Sequence, residues 1–253
     1  MRKITRVAVA PLLATALLLP ALPAKAFTDA EKKEIGAVVK QYLIENPEIM
    51  LEVQDALEKK VTDMRAQQAK SVLDESRSAL FQSPNDLVLG NPKGDVTIVE
   101  FYDYNCGYCK QGLGTMNEIL AKDKNVRFVL KEWPILGPDS DAAHRVSDAV
   151  RKVSPDKYGA FFLALMGSRS RTNEAKAIDA AVALGVDEAK LRQTMKDSPN
   201  TQAQAETHEL AMKLGFNGTP AYIIGDETLP GAYGIEAFDQ KIANIRSCGK
   251  ATC

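Results

Sequence analysis

The stretch from Val96 to Tyr102 is a nearly continuous run of aliphatic, β-branched and aromatic residues, and two cysteines follow it closely. Such a run predicts a strand that is covered on both faces. Residues 111–122 then have the pattern of a helix, and residues 126–132 that of a second strand. Strand, helix and strand with short connections predict a βαβ unit with parallel pairing. We therefore expect an α/β protein, with Cys106 and Cys109 between its first long strand and the next helix.

Further elements surround this unit. Leu87 to Leu89 is a candidate short strand ahead of it, and residues 138–214 have a helical pattern throughout. Residues 221–224 and 227–229 are two short runs on either side of Gly225-Asp226, a pair typical of a hairpin turn. A last helical pattern closes the chain. The expected order is βαβ, a helical insert, and then ββα.

A helical segment with few apolar residues, residues 27–84, precedes these elements. Thr28 and Glu31 form a capping-box pattern at its start, and Asn46-Pro47 divides it into two helices. The second helix has a thin apolar stripe, spaced partly like a short coiled-coil seam, which needs a partner helix. We expect this segment to mediate self-association; the alternative is a helix that lies on its own domain. The stripe consists of Val53, Leu57, Val61, Met64 and Val72.

The beginning of the chain has the pattern of an export signal. The chain starts with the basic residues Arg2, Lys3 and Arg6, an apolar run follows from Val7 to Leu22, and Ala24-Lys25-Ala26 is an A-x-A cleavage pattern. We expect residues 1–26 to be a signal peptide cleaved after Ala26, which would place the mature chain in the periplasm. An uncleaved anchor is the alternative.

The charge of the mature chain argues against a nucleic-acid binder. The expected signal holds four of the 32 Lys and Arg residues and none of the 33 Asp and Glu residues, which leaves 28 against 33, or a net charge of −5. No basic stripe stands out along the sequence. Export also bears on the four cysteines, because disulfides persist outside the cytosol and four is an even number.

Cys106 and Cys109 have a spacing shared by zinc knuckles, haem-attachment sites and redox-active dithiols. Haem attachment requires a histidine next, where the chain has Lys110. Zinc requires two further ligands, but Cys248 and Cys253 are five positions apart, and neither histidine is near a cysteine in sequence. We therefore expect no metal site and no cofactor, and we favour a redox pair over a structural disulfide.

The position of this pair suggests a mechanism. At a helix N-terminus, Cys106 would face unpaired backbone amides and the positive end of the helix dipole. Both stabilise a thiolate, which lowers the pKa of the thiol and makes Cys106 the nucleophile. Cys109, one turn further along, would be shielded and would resolve the mixed disulfide.

Two motifs, VTIVEFYDYNCGYCK and NGTPAYIIGDETLPG, resemble those of the thioredoxin-fold thiol–disulfide oxidoreductases of the DsbA family. The chain is most similar to the ScsC-type (or Com-type) branch, which has a helical N-terminal extension. The resemblance covers about residues 87–245. It implies a DsbA-like thioredoxin fold over residues 85–253, with a helical insertion over about residues 138–214. An α-helical oligomerisation segment, residues 27–84, would precede this domain.

The resemblance also assigns site residues. It implies a cis bond between Thr219 and Pro220, which would place the backbone of Thr219 beside Cys106, ready to pair with the extended chain of a substrate. The alternative is an ordinary proline at the start of a strand. Gly107 and Tyr108 are expected to contact the substrate together with Thr219. Tyr104 is a weaker candidate, and aromatic packing is the alternative for both tyrosines.

Glu100 is an acid within an otherwise apolar strand. Burial would raise the pKa of Glu100 and let it transfer protons during thiol exchange. Members of the family that the chain resembles carry an acid at the matching position. The alternative is a carboxylate that faces solvent at a sheet edge. Lys131, on the neighbouring strand, is a candidate partner for Glu100. Lys110 is expected to lie at the surface and to favour the thiolate of Cys106.

The remaining cysteines, Cys248 and Cys253, follow the last helix, with Gly249 suited to a tight reversal. We expect a disulfide that pins the C-terminus and, since its loop is short, stabilises the fold only modestly. A second redox pair or a link between chains is the alternative, and the resemblance does not explain this pair.

The direction of exchange is the least determined feature, because it depends on the redox potential and on the recycling partner. Gly107-Tyr108 together with Thr219 resembles the combination in oligomeric bacterial isomerases, so isomerase or reductase activity on misfolded exported proteins is favoured over oxidase activity. The resemblance then implies a membrane electron donor of the DsbD or ScsB type, or a DsbB-type partner for an oxidase. Two rivals are a copper-binding tolerance protein and a holdase chaperone.

Overall fold

The structure, a computed structural model, describes residues 27–253, and the expected signal peptide at residues 1–26 lies outside them. No helix in the described range is both long and apolar enough to cross a membrane. The elements are α1 Asp29–Glu45, α2 Glu48–Glu75, α3 Arg77–Phe81, β1 Leu87–Gly90, β2 Val96–Tyr102, α4 Gly107–Lys122, β3 Val126–Glu132, α5 Pro138–Val153, a 3-10 turn Pro155–Lys157, α6 Tyr158–Gly167, α7 Glu174–Ala183, α8 Glu188–Asp197, α9 Thr201–Lys213, β4 Ala221–Ile224, β5 Glu227–Pro230 and α10 Ile235–Cys248.

The helix α2 contains the boundary between two compact units of the chain, which falls between Leu57 and Glu58. In the first unit, α1 begins with the expected capping box. The backbone N–H of Thr28 donates to a carboxylate oxygen of Glu31 over 2.7 Å, and the backbone N–H of Glu31 donates to Oγ1 of Thr28 over 3.3 Å. No residue of α1 is buried, and most of its large apolar side chains are exposed.

A five-stranded sheet in the order β1-β3-β2-β4-β5 forms the centre of the second unit. The strands β2 and β3 pair in parallel, as the βαβ pattern predicted, from Val96 opposite Val126 to Tyr102 opposite Glu132. The other three pairs of neighbouring strands are antiparallel. Since β2 has a partner on each edge and is covered on both faces, its sequence is nearly continuous in apolar residues.

Alternate side chains of the central strands point into two core layers, one on each face of the sheet. The first layer contains Ile98 and Phe128 and packs against α4, α5, α6, α7 and α10. The second layer contains Val99, Phe101 and Trp133 and packs against α9 and the end of α2. The helical insert expected at residues 138–214 is present as α5 to α9.

The last part of the predicted N-terminal extension packs on the second core layer. Val72, Leu73 and Leu80 are buried there, whereas Val53 and Leu57 are exposed. The predicted apolar stripe is therefore divided, because its last member belongs to the core of the sheet domain and the earlier ones do not. For this part of α2 the alternative is correct, since the helix lies on its own domain. The domain boundary at residue 84 stays a prediction.

Candidate active site

The nucleophilic cysteine lies where the chain leaves the central strand β2. Cys106 is the N-cap residue of α4, as the sequence predicted, and its Sγ accepts a hydrogen bond from the backbone N–H of Cys109 over 3.4 Å. Both cysteines are free thiols. The thiol of Cys109 and the backbone N–H groups of Cys109 and Tyr108 donate to the Cys106 sulfur, so the pKa of Cys106 falls to about 6 in spite of partial burial. Cys106 is therefore largely a thiolate at neutral pH.

The second sulfur has the opposite character. Cys109 lies inside the first turn of α4 and is fully buried. Burial raises the pKa of its thiol well above the usual value, and the hydrogen bond to Cys106 and the nearby Glu100 raise it further. Cys109 therefore keeps its proton while Cys106 does not. This asymmetry suits a pair in which one sulfur attacks and the other resolves.

Glu100 occupies the middle of β2, beneath the cysteine pair. It is buried, with 3% of its surface exposed, so the alternative of a solvent-facing carboxylate does not hold. Its Oε1 lies 3.5 Å from the hydroxyl of Tyr222 on β4. Burial raises the pKa of Glu100 to about 8, and the nearby Cys106 adds to this rise. A carboxyl group with this pKa can take up or release a proton near neutral pH.

The predicted pairing of Glu100 with Lys131 is wrong. In the register of β2 and β3, Glu100 lies opposite Leu130 and Phe101 lies opposite Lys131. Since successive side chains of a strand point to opposite faces, Lys131 is on the other face of the sheet. There its Nζ donates to Asp86 Oδ2 and to the carbonyl oxygen of Ala79, each over 2.6 Å.

The segment before β4 completes the surroundings of the nucleophile. The peptide bond between Thr219 and Pro220 is cis, as the resemblance implied. Sγ of Cys106 lies 3.1 Å from the carbonyl oxygen of Thr219. The carbonyl oxygen of Pro220 accepts a hydrogen bond from the backbone N–H of Gly231 over 2.9 Å, which ties this segment to the end of β5.

Residues 107 and 108 leave the approach to Cys106 open. Tyr108 is 63% exposed, and no atom lies within 4 Å of the position that a Cβ on Gly107 would take. Both can therefore meet a bound chain. Tyr104, by contrast, is fully buried and forms a hydrogen bond with Ser147 Oγ, so packing is its role and a substrate contact is excluded.

Lys110 differs from the expectation of a surface residue that favours the thiolate. It is half-buried, and its Nζ donates to the carbonyl oxygens of Ser168 and Ser170 over 2.8 and 2.9 Å. It is not among the groups that lower the pKa of Cys106. Lys110 instead connects α4 to the segment that follows α6.

Sequence analysis missed Asp103, a buried carboxylate that holds the loop before Cys106. It accepts hydrogen bonds from the backbone N–H groups of Ile135 and Leu136 over 2.9 and 3.0 Å and from Ser140 Oγ over 2.8 Å. It also accepts from the backbone N–H of Asn105 over 2.8 Å, an Asx-turn contact that was the one local signal for its role. The other partners are more than 30 positions away, so no spacing pattern indicates them.

A second missed group is the buried network around Glu132, at the end of β3. The hydroxyls of Tyr102, Tyr158 and Ser147 donate to its Oε1, and His144 Nδ1 lies 3.2 Å from its Oε2. His144 Nε2 in turn accepts from the backbone N–H of Tyr104 over 3.3 Å. The network therefore supports the loop that leads to Cys106 from the side of α5.

The C-terminal cysteines form the pair that the sequence suggested, since Cys248 and Cys253 are joined in a disulfide. Between them, Ala251 is buried in the first core layer. Its backbone N–H donates to Asp226 Oδ1 over 2.9 Å, in the turn between β4 and β5. The disulfide thus closes a loop that packs on the hairpin following Pro220.

Comparison with known families agrees with this geometry. Residues 97–243, more than half of the chain, match the family described as DSBA-like thioredoxin domain. The chain belongs to the DsbA-like thioredoxin-domain family. Residues 31–61 of this DsbA-like protein match a second family, described as copper resistance protein ScsC N-terminal domain.

Solved structures give the same result. The DsbA-like chain is 41% identical to a thioredoxin-like oxidoreductase from Silicibacter pomeroyi DSS-3, over 68% of this chain and 98% of that one, with a TM-score of 0.64. It is 30% identical to ScsC of Proteus mirabilis in a transitional conformation, over 85% of this chain and 94% of that one, with a TM-score of 0.61. These likenesses cover both the sheet domain and, for ScsC, part of the helical extension.

Curated relatives match over one part of their length. The Na(+)/H(+) antiporter NhaA 1 of Salinispora arenicola is 26% identical over 162 residues, which are 63% of the DsbA-like chain and 24% of the antiporter. The chain thus spans about a quarter of the length of the curated relatives that it matches.

Proposed function

We propose that the chain catalyses thiol–disulfide exchange on exported proteins, as an isomerase or reductase in preference to an oxidase. The observation that carries the proposal is the asymmetry of the two sulfurs. Cys106 has a pKa of about 6 at the N-terminus of α4, and Cys109 is a buried thiol of raised pKa one turn away. A low pKa supplies the thiolate that attacks, and a shielded thiol resolves the product.

The exchange proceeds in two displacements. The thiolate of Cys106 attacks one sulfur of a substrate disulfide, which forms a mixed disulfide and releases the other substrate sulfur as a thiolate. Cys109 then loses its proton and attacks Sγ of Cys106, which releases the second substrate thiolate and leaves Cys106 and Cys109 oxidised. Glu100, a buried carboxyl group with a pKa of about 8 that is near enough to Cys109 to raise the pKa of its thiol, accepts this proton in its ionised form.

Isomerisation uses the first displacement without the second. If a different thiolate of the same substrate attacks the substrate sulfur that is bound to Cys106, a new substrate disulfide forms, Cys106 leaves again as a thiolate and no electrons are transferred overall. The combination of Gly107-Tyr108 with Thr219, which resembles that of oligomeric isomerases, favours this use. The proposed reaction requires a reduced pair, and therefore a membrane electron donor of the DsbD or ScsB type.

Self-association through the N-terminal helices is the second part of the proposal. Among the residues that the structure describes, α1 and the first half of α2 carry many exposed apolar side chains without a partner in the chain. These are Ile35, Val38, Val39, Tyr42, Ile44, Met50, Leu51, Val53 and Leu57. Burying them between copies of the chain would remove apolar surface from water. Several active sites would then act on one substrate at a raised effective concentration.

The experiment that tests the proposal is recovery of activity from a scrambled multi-disulfide substrate by the reduced chain from Phe27. We expect recovery with the unmodified sequence and none with Cys106→Ser. Leu57→Glu with Val61→Glu should reduce both the oligomer mass in light scattering and the recovery. Gln54→Glu with Gln68→Glu adds the same charge to the same helix and should change neither. No recovery, together with rapid oxidation of a reduced peptide by the disulfide form, would contradict the isomerase proposal and indicate an oxidase with a DsbB-type partner.

The periplasm is the compartment we propose, because the sequence begins with an export pattern and the reaction needs disulfides that persist. Mass spectrometry of the periplasmic protein should find Phe27 as its first residue. A chain that retains residues 1–26 in the membrane fraction would contradict cleavage after Ala26.

Copper binding is a second candidate, favoured by the two free thiols of Cys106 and Cys109, since thiolates suit copper(I). Within residues 27–253, however, no group of three or more His, Cys, Asp or Glu side chains is arranged to hold a metal ion. Stoichiometric copper(I) binding that is lost in Cys106→Ser, with no exchange activity in the unmodified chain, would favour this candidate.

A further inference from the structure

The segment between α6 and α7 is attached to both sides of the cysteine pair. Asn105, the residue before Cys106, accepts a hydrogen bond from the backbone N–H of Thr172 over 2.7 Å and donates to the carbonyl oxygen of Thr172 over 2.9 Å. Lys110, the residue after Cys109, donates to the carbonyl oxygens of Ser168 and Ser170. We call residues 168–172 the clamped loop. Its contacts fix it directly beside the active site.

The clamped loop and the start of α7 carry an excess of positive charge. Residues 168–176 contain Arg169, Arg171 and Lys176 against a single carboxylate, Glu174. This contrasts with residues 27–253 as a whole, in which 28 Lys and Arg stand against 33 Asp and Glu. The net charge of residues 168–176 is therefore positive, whereas that of residues 27–253 is negative.

Ion pairs neutralise only part of this charge. Arg171 pairs with Asp139 over 2.8 Å, and Glu174 pairs with Arg145 over 3.4 Å. Lys176 donates to the carbonyl oxygen of Arg171 over 2.9 Å, and Arg169 is exposed. Across residues 27–253, no carboxylate lies within 4.0 Å of the side-chain nitrogens of Lys110, Arg169 or Lys176. The charges of these three side chains are thus not neutralised by an ion pair, although the ammonium groups of Lys110 and Lys176 already donate to backbone carbonyl oxygens.

We propose that this basic surface, formed by Lys110, Arg169 and Lys176, binds acidic side chains that flank the reacting cysteine of a protein substrate. The inference rests on the proposed thiol–disulfide exchange and names the class of substrate for it. Asp or Glu residues near the substrate disulfide would be held within a Debye length, about 8–10 Å, of cations at the active site. Such complementarity raises the rate of encounter and orients the substrate sulfur toward Cys106.

The test uses two peptides of equal length, each with one cysteine joined in a mixed disulfide to 5-thio-2-nitrobenzoate. One peptide has Glu on both sides of the cysteine, and the other has Gln at the same positions. The thiolate of Cys106 attacks the peptide sulfur and releases the coloured thiolate; Cys109 then attacks Cys106 and releases the peptide thiol. Each turnover thus oxidises one pair of protein thiols and reduces one probe disulfide.

The rate constants are measured with the full chain from Phe27, fully reduced at Cys106 and Cys109. We expect the acidic peptide to react about fivefold or more faster than the neutral one at low salt, and the ratio to approach one at about 0.5 M salt. Arg169→Gln with Lys176→Gln should bring the low-salt ratio close to one without changing the neutral peptide's rate. Lys190→Gln with Lys196→Gln on α8 removes the same charge elsewhere and should leave the ratio unchanged.

Charge reversal provides a second measurement. Arg169→Glu with Lys176→Glu should make a peptide with Lys at the flanking positions the faster substrate. The inference would be overturned if the acidic and neutral peptides react at nearly the same rate in the unmodified chain at low salt. It would also be overturned if the rate difference persists in both the Gln and the Glu variants of Arg169 and Lys176. In either case the exchange function stands. If neither peptide releases the coloured thiolate, the proposed exchange function itself fails.

Discussion

The carbonyl oxygen of Thr219 lies 3.1 Å from Sγ of Cys106, although 113 positions separate the two residues. The antiparallel pairing of β2 and β4 creates this proximity, because Phe101 lies opposite Ala221 and the two segments continue beyond the same end of the pair. The nucleophile therefore sits between a helix N-terminus, which favours its thiolate, and a backbone segment that can guide a substrate chain.

The first prediction concerns the titration of Cys106. The thiolate should form with a midpoint near pH 6, measured from the pH dependence of alkylation or from thiolate absorbance. In Cys109→Ala the midpoint should rise, because the largest contribution to the lowered pKa comes from the Cys109 thiol. A midpoint near the ordinary value of 9.0 in the unmodified chain would contradict the assigned roles of both sulfurs.

The lowered pKa also links stability to pH. A thiol whose pKa falls from 9.0 to about 6 on folding contributes stability that is present above pH 9 and is lost as the pH falls through 6. The reduced chain should therefore gain stability relative to Cys106→Ser between pH 6 and pH 9, measured by urea denaturation. If the free energy of unfolding changes with pH by the same amount in the two chains between pH 6 and pH 9, folding does not stabilise the thiolate of Cys106.

Glu100→Gln should have opposite effects on stability and on activity. The pKa of Glu100 rises from 4.5 to about 8 on folding, so its contribution to stability is present below pH 4.5 and is lost as the pH rises through 8. Each pKa unit corresponds to about 1.4 kcal/mol, so the Gln variant should gain about 5 kcal/mol in stability relative to the unmodified chain between pH 4.5 and pH 9. Resolution of the mixed disulfide should slow about tenfold or more. Glu34→Gln, on exposed α1, is the control, and an unchanged resolution rate would exclude proton transfer by Glu100.

Asp103→Asn should destabilise the loop before Cys106. An amide that replaces one carboxylate oxygen cannot accept all of the hydrogen bonds from Ile135, Leu136, Ser140 and Asn105, so we expect a loss of about 2 kcal/mol in chemical denaturation. The control is Asp139→Asn, which breaks an exposed pair with Arg171 and should cost less than about 1 kcal/mol. Equal losses in the two variants would contradict the special role of Asp103.

Lys131→Met should affect stability but leave the active site unchanged. The substitution removes the partner of buried Asp86, and breaking a buried pair costs about 3–5 kcal/mol. Burial already raises the pKa of Asp86 to about 6, and removal of Lys131 raises it further. The loss should therefore be smaller at pH 5, where Asp86 can be neutral, than at pH 8. Asp86→Leu combined with Lys131→Met should recover most of the lost stability. A shift in the pH midpoint of the Cys106 titration in Lys131→Met would show that Lys131 acts on the active site after all.

The C-terminal disulfide should be structural. Cys248→Ser with Cys253→Ser should lower the free energy of unfolding by about 2 kcal/mol, because the closed loop is short, and should leave the exchange rate of Cys106 unchanged. When the fully oxidised protein is treated with a mild dithiol reductant, thiol counting should find that Cys106 and Cys109 are reduced before Cys248 and Cys253. Disulfide-linked dimers in the native protein would contradict a pairing within the chain.

Much of the candidate site is local in the sequence and was predicted from it. A strand-like run followed by two cysteines at the start of a helical pattern placed Cys106 at a helix N-cap, where the structure has it. An acid within an apolar strand indicated that Glu100 would be buried, and it is. These predictions depend on the neighbours of each residue along the chain.

The errors have a common physical origin in long-range packing. Lys131 was assigned to Glu100 because both lie on adjacent strands, yet the register places Lys131 opposite Phe101, and the alternation of side chains turns it to the other face. Val72 was assigned by its spacing to the same apolar stripe as Val53 and Leu57, whereas the second core layer buries Val72 and leaves the other two exposed. The spacing of apolar residues along one helix or strand does not indicate which other element packs against them.

The amino-acid sequence alone is enough to predict the order of the elements, the cysteine pair at a helix N-terminus and the families to which the two parts of the chain are similar. Which distant groups meet at the site depends on the packing of the whole domain: Asp103 contacts the loop after β3, Asn105 and Lys110 contact the clamped loop, and Cys106 contacts Thr219. Local propensities act through a few neighbouring residues, whereas these contacts form because burying both faces of one sheet brings segments together that are 30 to more than 100 positions apart.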